Sequence, residues 1–314
     1  MDLKSYIPKL SLNDNQKMSI NDFEKKFLKK YVDVDCINCG SQKYMNIYND
    51  DRYGLVSYTN ICIDCGLLLQ SPRLKDTDLE LFYKNDFYRK IYMNNKSIEE
   101  YYNEKINLHN KSFDLFFDTL DISFEKIADI GCGTGRETHY FLNKGKDIIG
   151  LEPSHELVNL ANRDGYNHIK QGFVKDLKHE VDLVIMNNVF EHLDKPDKDL
   201  IHLKKYTKYL YIQVPGNIIR MQSIQNAHNY YFSINTLTKL MSKHGFKKIK
   251  AYYFSGQIYS LFINSDEKFI NFKYSKNVEI IRVLTSYYLQ YFLYFLRMIK
   301  KYFKFKFKNF NTNL

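Results

Sequence analysis

The sequence predicts an α/β fold in which a Rossmann-like, doubly wound parallel sheet is preceded by a small module and followed by a tail. Three observations carry this prediction. From Phe124 to Ile263, short apolar stretches typical of strands alternate with stretches typical of amphipathic helices. A glycine-rich turn, Gly131–Gly135, follows the first of these strands and precedes the first helix. Two closely spaced cysteine pairs come before this series, and a basic, aromatic-rich stretch comes after it.

Changes in composition divide the 314 residues into five segments. We predict an N-terminal segment at 1–31, a cysteine-bearing ribbon at 32–75, a helical linker or lid at 76–120, the sheet domain at 121–265 and a basic amphipathic tail at 266–314. Asp22–Lys30 is predicted to form an amphipathic helix. Thr77 is predicted to cap the first helix of the linker, with Glu80 as its capping-box partner.

Several elements of the sheet domain carry their own sequence signal. Ser154 is a favourable N-cap, Pro196 suits a first helical turn, and Gly245 suits a left-handed helix end. The seven predicted strands are Ile127–Ile130, Asp147–Leu151, His168–Gln171, Val181–Asn187, Tyr209–Val214, Lys248–Tyr253 and Tyr259–Ile263. The predicted helices are Arg136–Asn143, Ser154–Arg163, Pro196–Tyr206 and Ile234–His244.

The cysteine pairs predict a metal site. Cys36 and Cys39, and then Cys62 and Cys65, form two C-x-x-C-G knuckles separated by 22 residues. Four thiolates suit tetrahedral Zn²⁺, and a site without an open coordination position has a structural role. The first twenty residues contain no apolar stretch typical of a signal peptide, so we expect a cytoplasmic protein with zinc rather than disulfides. The alternative is four buried cysteines without a ligand.

The glycine turn predicts a nucleoside-binding site. Asp129 ends the first strand before the turn, and Glu152 ends the second strand, where a carboxylate can accept both hydroxyls of a ribose. The rival is a dinucleotide site, whose fingerprint requires a third glycine where this chain has Arg136.

With these residues in place, Phe124 to about Ile263 resembles the class I S-adenosylmethionine (SAM)-dependent methyltransferases, which have a seven-stranded Rossmann-like sheet. The resemblance implies that Asp129 and the loop Gly131, Cys132, Gly133 and Gly135 hold the methionine end of SAM, and that Glu152 holds the ribose. It also implies that Phe173 and Val174 flank the adenine and that Asn187 and Asn188 lie beside the sulfonium. Many relatives carry an acid directly after the glycine that is Gly172 here, so Asp176 is a second candidate for the adenine amino group.

The ribbon extends the resemblance toward the N-terminus. The cysteine pairs, followed by Leu67-Leu-Leu-Gln-Ser-Pro-Arg73 and then the sheet domain, resemble the sugar C-methyltransferases and related surface-polysaccharide methyltransferases. The resemblance implies a small-molecule or glycan acceptor such as a nucleotide-sugar. A lipid or quinone-type acceptor is the alternative within the same chemistry.

Two places offer a catalytic base. Glu191 and His192 follow the fourth strand, and His228 aligns with a histidine of the sugar C-methyltransferases. Those relatives carry a Tyr and a Glu where this chain has Gln225 and Ala227. C-methylation needs a strong base and an oxyanion stabiliser, whereas O-methylation needs one modest base, so we predict O-methylation. The structural alternatives are that His192 caps or packs under its turn, and that His228 caps the helix near Ser233.

The tail carries most of the net charge of +10, because Ile280–Leu314 contains seven Lys or Arg residues and no acid. Tyr287, Tyr291, Tyr294 and Met298 follow helical spacing, whereas Lys304–Lys308 alternates and predicts a strand or an extended arm. Two interpretations stay open: the tail packs on the protein or on a dimer partner, or it contacts the inner face of an anionic membrane.

An RNA-binding or RNA-modifying protein is the alternative from another class. Leu193–Arg220 lacks the interleaved aromatic and basic residues of a nucleic-acid groove, so we do not expect a nucleic-acid partner.

Overall fold

The computed structural model describes residues 10–85, 87–92, 97–105, 111–216, 223–265 and 272–311. Residues 1–9 of the predicted N-terminal segment, Arg220 and the last three residues of the tail lie outside this part. The helices are α1 (Asp14–Phe27), α2 (Asp76–Lys84), α3 (Phe87–Tyr92), α4 (Ile98–Lys105), α5 (Lys111–Asp118), α6 (Arg136–Asn143), α7 (His155–Arg163), α8 (Pro196–Leu203), α9 (Ile234–Lys243) and α10 (Lys276–Asn311). The strands are β1 (Tyr44–Asp50), β2 (Val56–Cys62), β3 (Leu68–Gln70), β4 (Lys126–Ile130), β5 (Asp147–Glu152), β6 (Ile169–Gln171), β7 (Val181–Asn187), β8 (Thr207–Pro215), β9 (Tyr230–Tyr231), β10 (Phe246–Phe254) and β11 (Gln257–Asn264).

A seven-stranded sheet forms the centre of the molecule and confirms the predicted fold class. Its strand order is β10-β11-β8-β7-β4-β5-β6. Strands β4 to β8 are parallel, and the β10–β11 hairpin adds an antiparallel edge. Strand β4 lies between β5 and β7, so the winding reverses there, and ligands of such sheets bind at the carboxyl ends of the strands around this reversal.

Helices cover both faces of the sheet. Aromatic side chains of α5, such as Phe113 and Phe116, pack with Phe141 of α6 and Tyr211 of β8 on one face. Leucines of α8 and α9 pack on the other face, together with Leu67 and Leu69 of the ribbon. The ribbon therefore shares its core with the sheet domain.

A second sheet, of order β1-β2-β3-β9, joins the ribbon to the segment that follows β8 in the chain. Strand β9 pairs antiparallel with β3, placing Leu68 opposite Tyr231 and Leu69 opposite Tyr230. The Asn38 side chain in the first knuckle donates a hydrogen bond to the Thr236 carbonyl of α9 at 3.0 Å. The ribbon thus packs against the segment 225–233, in which the sequence places a candidate base.

Helix α10 starts on the second knuckle. A Cβ added to Gly66 would lie 2.5 Å from the Cβ of Glu279, so only glycine permits this approach. Val283 is 3% exposed, and the ring of Tyr287 lies 5.3 Å from that of Tyr48 on β1. None of the helices in the described part of the chain combines the length and apolarity that a membrane crossing requires.

Three local predictions are wrong. The first helix begins at Asp14, ahead of the predicted Asp22, because Asn13 and Gln16 form a capping box there. Helix α2 begins at Asp76 behind Lys75, without a side-chain cap, so Thr77 lies inside the helix. Lys304–Lys308 is helical. A helix that is already formed adds one backbone hydrogen bond per residue, whereas an isolated strand would have no partner.

Candidate cofactor and acceptor site

The glycine loop after β4 is a left-handed turn with one open side. Gly131, Gly133 and Gly135 have φ of +67°, +59° and +79°. A Cβ added to Gly131 would lie 2.5 Å from Val189, and one added to Gly135 would lie 2.6 Å from Ile169. A Cβ added to Gly133 would meet nothing within 4 Å. Side chains therefore pack against the loop at Gly131 and Gly135, whereas the backbone at Gly133 faces open space, where a ligand can approach it.

Glu152 lies beside this bare position. Its Oε2 accepts the Gly133 backbone N–H at 2.9 Å, and its Oε1 accepts the Ser154 N–H at 2.9 Å. Arg89 of α3 also donates to Oε1, at 3.0 Å. The two backbone N–H groups thus hold the carboxylate in a fixed orientation, and Arg89 pairs with its Oε1.

Asp129 supports the loop from beneath. Its carboxylate is 2% exposed and accepts a hydrogen bond from the Thr138 hydroxyl at 2.9 Å. Burial, followed by the charge of Glu137, raises the pKa of Asp129 well above its usual value. Asp129 lines the same cavity as the loop glycines.

Two residues at the start of α6, Arg136 and Glu137, lie beside the loop on the cavity wall. Neither was predicted as a site residue. Glu137 accepts hydrogen bonds from the Arg136 guanidinium at 2.9 and 2.5 Å, and from the Asn187 side-chain amide at 2.6 Å. Asn188, with φ of +55°, donates from its side-chain amide to the side-chain oxygen of Asn187 at 2.9 Å. This network links the start of α6 to the end of β7 and holds both predicted asparagines beside the cavity.

A cavity of about 600 Å³ lies over these groups. Predicted residues on its wall include Phe173, Val174, Glu152, Asn187 and His192. Asp176 is not among the residues described on the wall, because its carboxylate turns back to accept the Phe173 N–H at 2.9 Å.

The opposite wall comes from the helical linker and the ribbon. Its aromatic and charged side chains are Tyr83, Tyr88, Arg89, Tyr92, Tyr101 and Arg52. The sequence predicted this segment only as a helical linker or lid and did not identify these side chains as site residues. One feature of the sequence could have indicated their role: several of these aromatic residues are tyrosines, and a buried tyrosine hydroxyl requires a polar partner.

Glu191, His192 and His228 lie together beside the cavity. His192 is on the cavity wall, whereas Glu191 and His228, 1% and 4% exposed, lie behind it. The His192 and His228 ring centroids are 4.8 Å apart, and His192 Nε2 is 3.8 Å from Glu191 Oε1. Burial raises the pKa of Glu191 to about 8 and lowers the pKa of His192 to about 4. His228 is not the cap of α9, because the Ser233 hydroxyl accepts the Thr236 N–H at 3.0 Å.

The motif before the linker fixes these segments in place. Arg73, 3% exposed, donates through Nη2 to the Asp194 carbonyl at 2.8 Å and to the Tyr230 hydroxyl at 2.7 Å. Gln70 donates to the Gln225 carbonyl at 2.8 Å. The ribbon therefore connects the turn after β7 to the segment before β9.

The four ribbon cysteines converge as predicted. The sulfurs of Cys36 and Cys65 are 3.4 Å apart, and those of Cys39 and Cys62 are 3.5 Å apart. All four lie within 4.8 Å of one another. Sulfurs bound at about 2.3 Å around tetrahedral zinc stand about 3.8 Å apart, whereas a disulfide requires about 2.05 Å. The donor set therefore fits a tetrahedral thiolate-binding metal.

Comparisons with known proteins agree with this arrangement. A family model described as a methyltransferase domain matches residues 100–251. An uncharacterized methyltransferase of Bacillus cytotoxicus is 30% identical over 97 residues, which are 30% of this chain and 45% of that protein. One from Bacillus mycoides is 27% identical over 101 residues, 31% of this chain and 47% of that protein. The chain thus spans about half the length of these curated relatives.

Solved structures of similar shape include two methyltransferases. One is the 1,6-didemethyltoxoflavin-N1-methyltransferase of Burkholderia thailandensis with bound 1,6-didemethyltoxoflavin and S-adenosylhomocysteine, at a TM-score of 0.48 and 17% identity, covering 64% of this chain and 96% of that one. The other is the magnesium protoporphyrin IX methyltransferase of Synechocystis PCC 6803 with bound S-adenosylhomocysteine. Its TM-score is 0.44 and its sequence identity 15%, and the match covers 60% of this chain and 98% of that one. Residues 100–251 therefore match a methyltransferase domain, and they include the glycine loop and most of the seven-stranded sheet.

Proposed function

We propose that the chain transfers a methyl group from SAM to a small-molecule acceptor bound in the cavity between the glycine loop and the helical linker. The observation that carries the proposal is the bare backbone at Gly133 beside the oriented carboxylate of Glu152. In the proposed assignment, Glu152 accepts the ribose hydroxyls, the loop from Gly131 to Gly135 and Asp129 hold the methionine end, and Phe173 and Val174 flank the adenine.

Titration calorimetry with SAM and with S-adenosylhomocysteine tests the cofactor directly. We expect saturable binding of both compounds at one site per chain. A chain that binds neither compound would not be a methyltransferase. Methyl transfer from radiolabelled SAM to a panel of acceptors then tests the reaction.

For the acceptor, we propose a sugar or nucleotide-sugar that receives the methyl group on oxygen. Arg52 brings a cation to the cavity wall in addition to Arg89, which pairs with Glu152, and this suits an acceptor carrying phosphate or carboxylate. A sugar ring suits a wall of aromatic rings that carry hydroxyl groups, and this wall includes Tyr83, Tyr88, Tyr92 and Tyr101. A panel that includes nucleotide-sugars, free sugars and quinols separates this acceptor class from the lipid or quinone-type alternative.

We place the proton-handling function of O-transfer in the cluster of Glu191, His192 and His228. SAM brings its own electrophile, so the protein must align the acceptor and manage one proton. His192 is the member of the cluster that reaches the cavity. Because burial lowers its pKa to about 4, its imidazole is neutral at pH 7 and has a lone pair available.

We further propose that the structural zinc of the ribbon maintains the acceptor wall. Arg52 follows β1 of the ribbon, and Asp51 accepts hydrogen bonds from the Asn226 N–H at 3.1 Å and the Tyr92 hydroxyl at 2.8 Å. The ribbon thereby joins the linker to the segment that carries His228.

For α10, we propose contact with an anionic membrane surface. Beyond the part packed on the ribbon, Tyr288, Phe292, Phe295 and Ile299 repeat at helical spacing on one face and are 60%, 57%, 61% and 37% exposed. The chain is cationic from Arg282 onward and contains no acid there. A second copy of this helix would repel the first, whereas anionic headgroups would attract it.

A further inference from the structure

Three side chains that could bind a metal ion converge at the part of the cavity wall that His192 lines. Each of Glu191, His192 and His228 offers one ligand atom, and these atoms lie within 4.8 Å of one another. Within the part of the chain that the structure describes, neither carboxylate oxygen of Glu191 has a hydrogen-bond partner, nor does Nδ1 of His228. A buried carboxylate without a partner is costly, and either a bound proton or a bound cation would relieve that cost.

The tautomer of His192 supports a bound cation. Its Nδ1 lies 2.8 Å from the Ala227 carbonyl oxygen and 2.9 Å from the Tyr83 hydroxyl. Because the carbonyl oxygen can only accept, we assign the proton to Nδ1. The lone pair is then on Nε2, which is 3.8 Å from Glu191 Oε1. The Nε2 lone pair therefore faces the Glu191 carboxyl group at a distance too long for a hydrogen bond. A histidine that donates one N–H to a backbone carbonyl and offers the other nitrogen is the usual arrangement of a metal ligand.

We propose that Glu191, His192 and His228 bind a divalent transition-metal ion at the acceptor end of the cavity, separate from the zinc of the ribbon. Nitrogen and oxygen ligands bound at about 2.1 Å stand about 3.0–3.4 Å apart around one ion, so small side-chain rotations close the present separations. His192 lies on the cavity wall, which gives the ion an entry path and leaves coordination positions open toward the acceptor.

The backbone around the cluster is already fixed. Asn229 donates its N–H to the Glu191 carbonyl at 2.8 Å, and its side-chain amide donates to the His192 and Leu193 carbonyls at 2.9 and 3.1 Å. The two segments that carry the ligands are therefore held together without a metal, and only side chains need to move. This inference rests on the proposed function and changes how the cluster would handle the proton: the ion would bind the acceptor oxygen and lower the pKa of its hydroxyl, in place of proton removal by the His192 lone pair.

Cobalt loading of the full chain tests the site. We expect two Co²⁺ per chain, one with thiolate-to-cobalt charge-transfer absorption from the ribbon and one without it. Glu191→Gln and His228→Gln should each reduce the content to one ion and keep the thiolate absorption. His202→Gln, a histidine on α8 outside the cluster, is the matched control and should keep both ions.

A measurement on the wild-type chain covers the case in which these variants fail to fold. X-ray absorption of the zinc-loaded protein should show nitrogen and oxygen ligands in addition to sulfur. A stoichiometry of one ion per chain, or a zinc environment of sulfur alone, would overturn the inference. Calorimetry with SAM is independent of this result: SAM binding with one metal per chain refutes the cation site alone, whereas absence of SAM binding refutes the proposed function.

Discussion

Arg89 of α3 forms an ion pair with Glu152 at the carboxyl end of β5, with 3.0 Å between Nη2 and Oε1. Their side chains are only 12% and 5% exposed. The linker helix therefore closes over the group that we assign to the ribose, and the cation occupies a hydrogen-bonding position that a ribose hydroxyl would use. Cofactor entry and the position of α3 are coupled through this contact.

Arg89→Ala and Glu152→Ala should change SAM affinity in opposite directions. Removal of Arg89 frees Oε1 while both backbone donors still hold the carboxylate, so we expect SAM to bind about 2- to 10-fold more tightly. Removal of Glu152 should weaken binding about 10- to 100-fold. Calorimetry measures both changes. Weaker SAM binding by Arg89→Ala would mean that Arg89 contacts the cofactor itself.

Gly133→Ala should weaken SAM binding at least about 10-fold, because its methyl group would occupy the open space above the loop. Gly145→Ala is the matched control: its φ of +75° is also left-handed, and a Cβ there also meets nothing within 4 Å, but Gly145 is not on the cavity wall. Both variants should lose about 1 kcal/mol of unfolding free energy, measured by urea titration. Equal SAM affinity of the two variants would contradict the assignment of the loop.

Cys36→Ser should remove zinc from the ribbon and destabilise the protein strongly, because a structural zinc site contributes its binding free energy to folding. Cys132→Ser is the control, since Cys132 is buried in the glycine loop and lies outside the four-sulfur cluster. Metal analysis and thermal unfolding provide the measurements. Retention of zinc by Cys36→Ser at the wild-type stoichiometry would show that the ribbon is not the zinc site.

Asp199 on α8 should make stability depend on pH. Burial, followed by the charges of Asp197 and Asp194, raises its pKa from 3.8 to about 7. The folded chain therefore holds this proton to higher pH than the unfolded chain, so stability falls as pH rises from about 4 to about 7. Asp199→Asn should be more stable than wild type at pH 8 and equal to it at pH 4.

Asp182→Asn is the control, because the contribution of Asp182 to stability should change with pH in the opposite direction. Hydrogen bonds from the backbone N–H groups of Lys126 and Glu125 lower the pKa of Asp182, so its contribution to stability is present at neutral pH and is lost in acid. Urea titrations at several pH values compare the two variants. An Asp199→Asn difference that does not vary with pH would rule out titration of this carboxyl.

The exposed face of α10 should bind anionic vesicles. We expect the full chain to sediment with vesicles of phosphatidylglycerol and phosphatidylcholine, less so at high salt, and not with phosphatidylcholine alone. The double variant Phe292→Ser and Phe295→Ser should lose this binding. Ile201→Ser, at an apolar position of α8 that is 55% exposed, should retain it. Sedimentation of the double variant at the wild-type level would exclude the apolar face as the contact.

The sequence by itself determined the fold class, the glycine loop and the cysteine cluster. Each is encoded by neighbouring residues: alternating apolar runs predict β4 to β8, and Gly131, Gly133 and Gly135 occupy a turn that requires left-handed backbone. Two C-x-x-C-G knuckles each bring a pair of sulfurs together through local turns, for example through the Gly40 N–H bonded to the Cys36 carbonyl at 2.7 Å.

Only the tertiary structure decided how the acceptor side is built. Arg52, Arg89 and His192 come from the ribbon, the linker and the turn after β7, and no local pattern specifies that their side chains share one cavity. The packing that joins Glu191 to His228 depends on contacts across 37 residues of sequence, such as that of Asn229 with the His192 carbonyl. Patterns along the chain record local backbone preferences, whereas a site assembled from distant segments depends on how the sheet, the ribbon and the linker pack together.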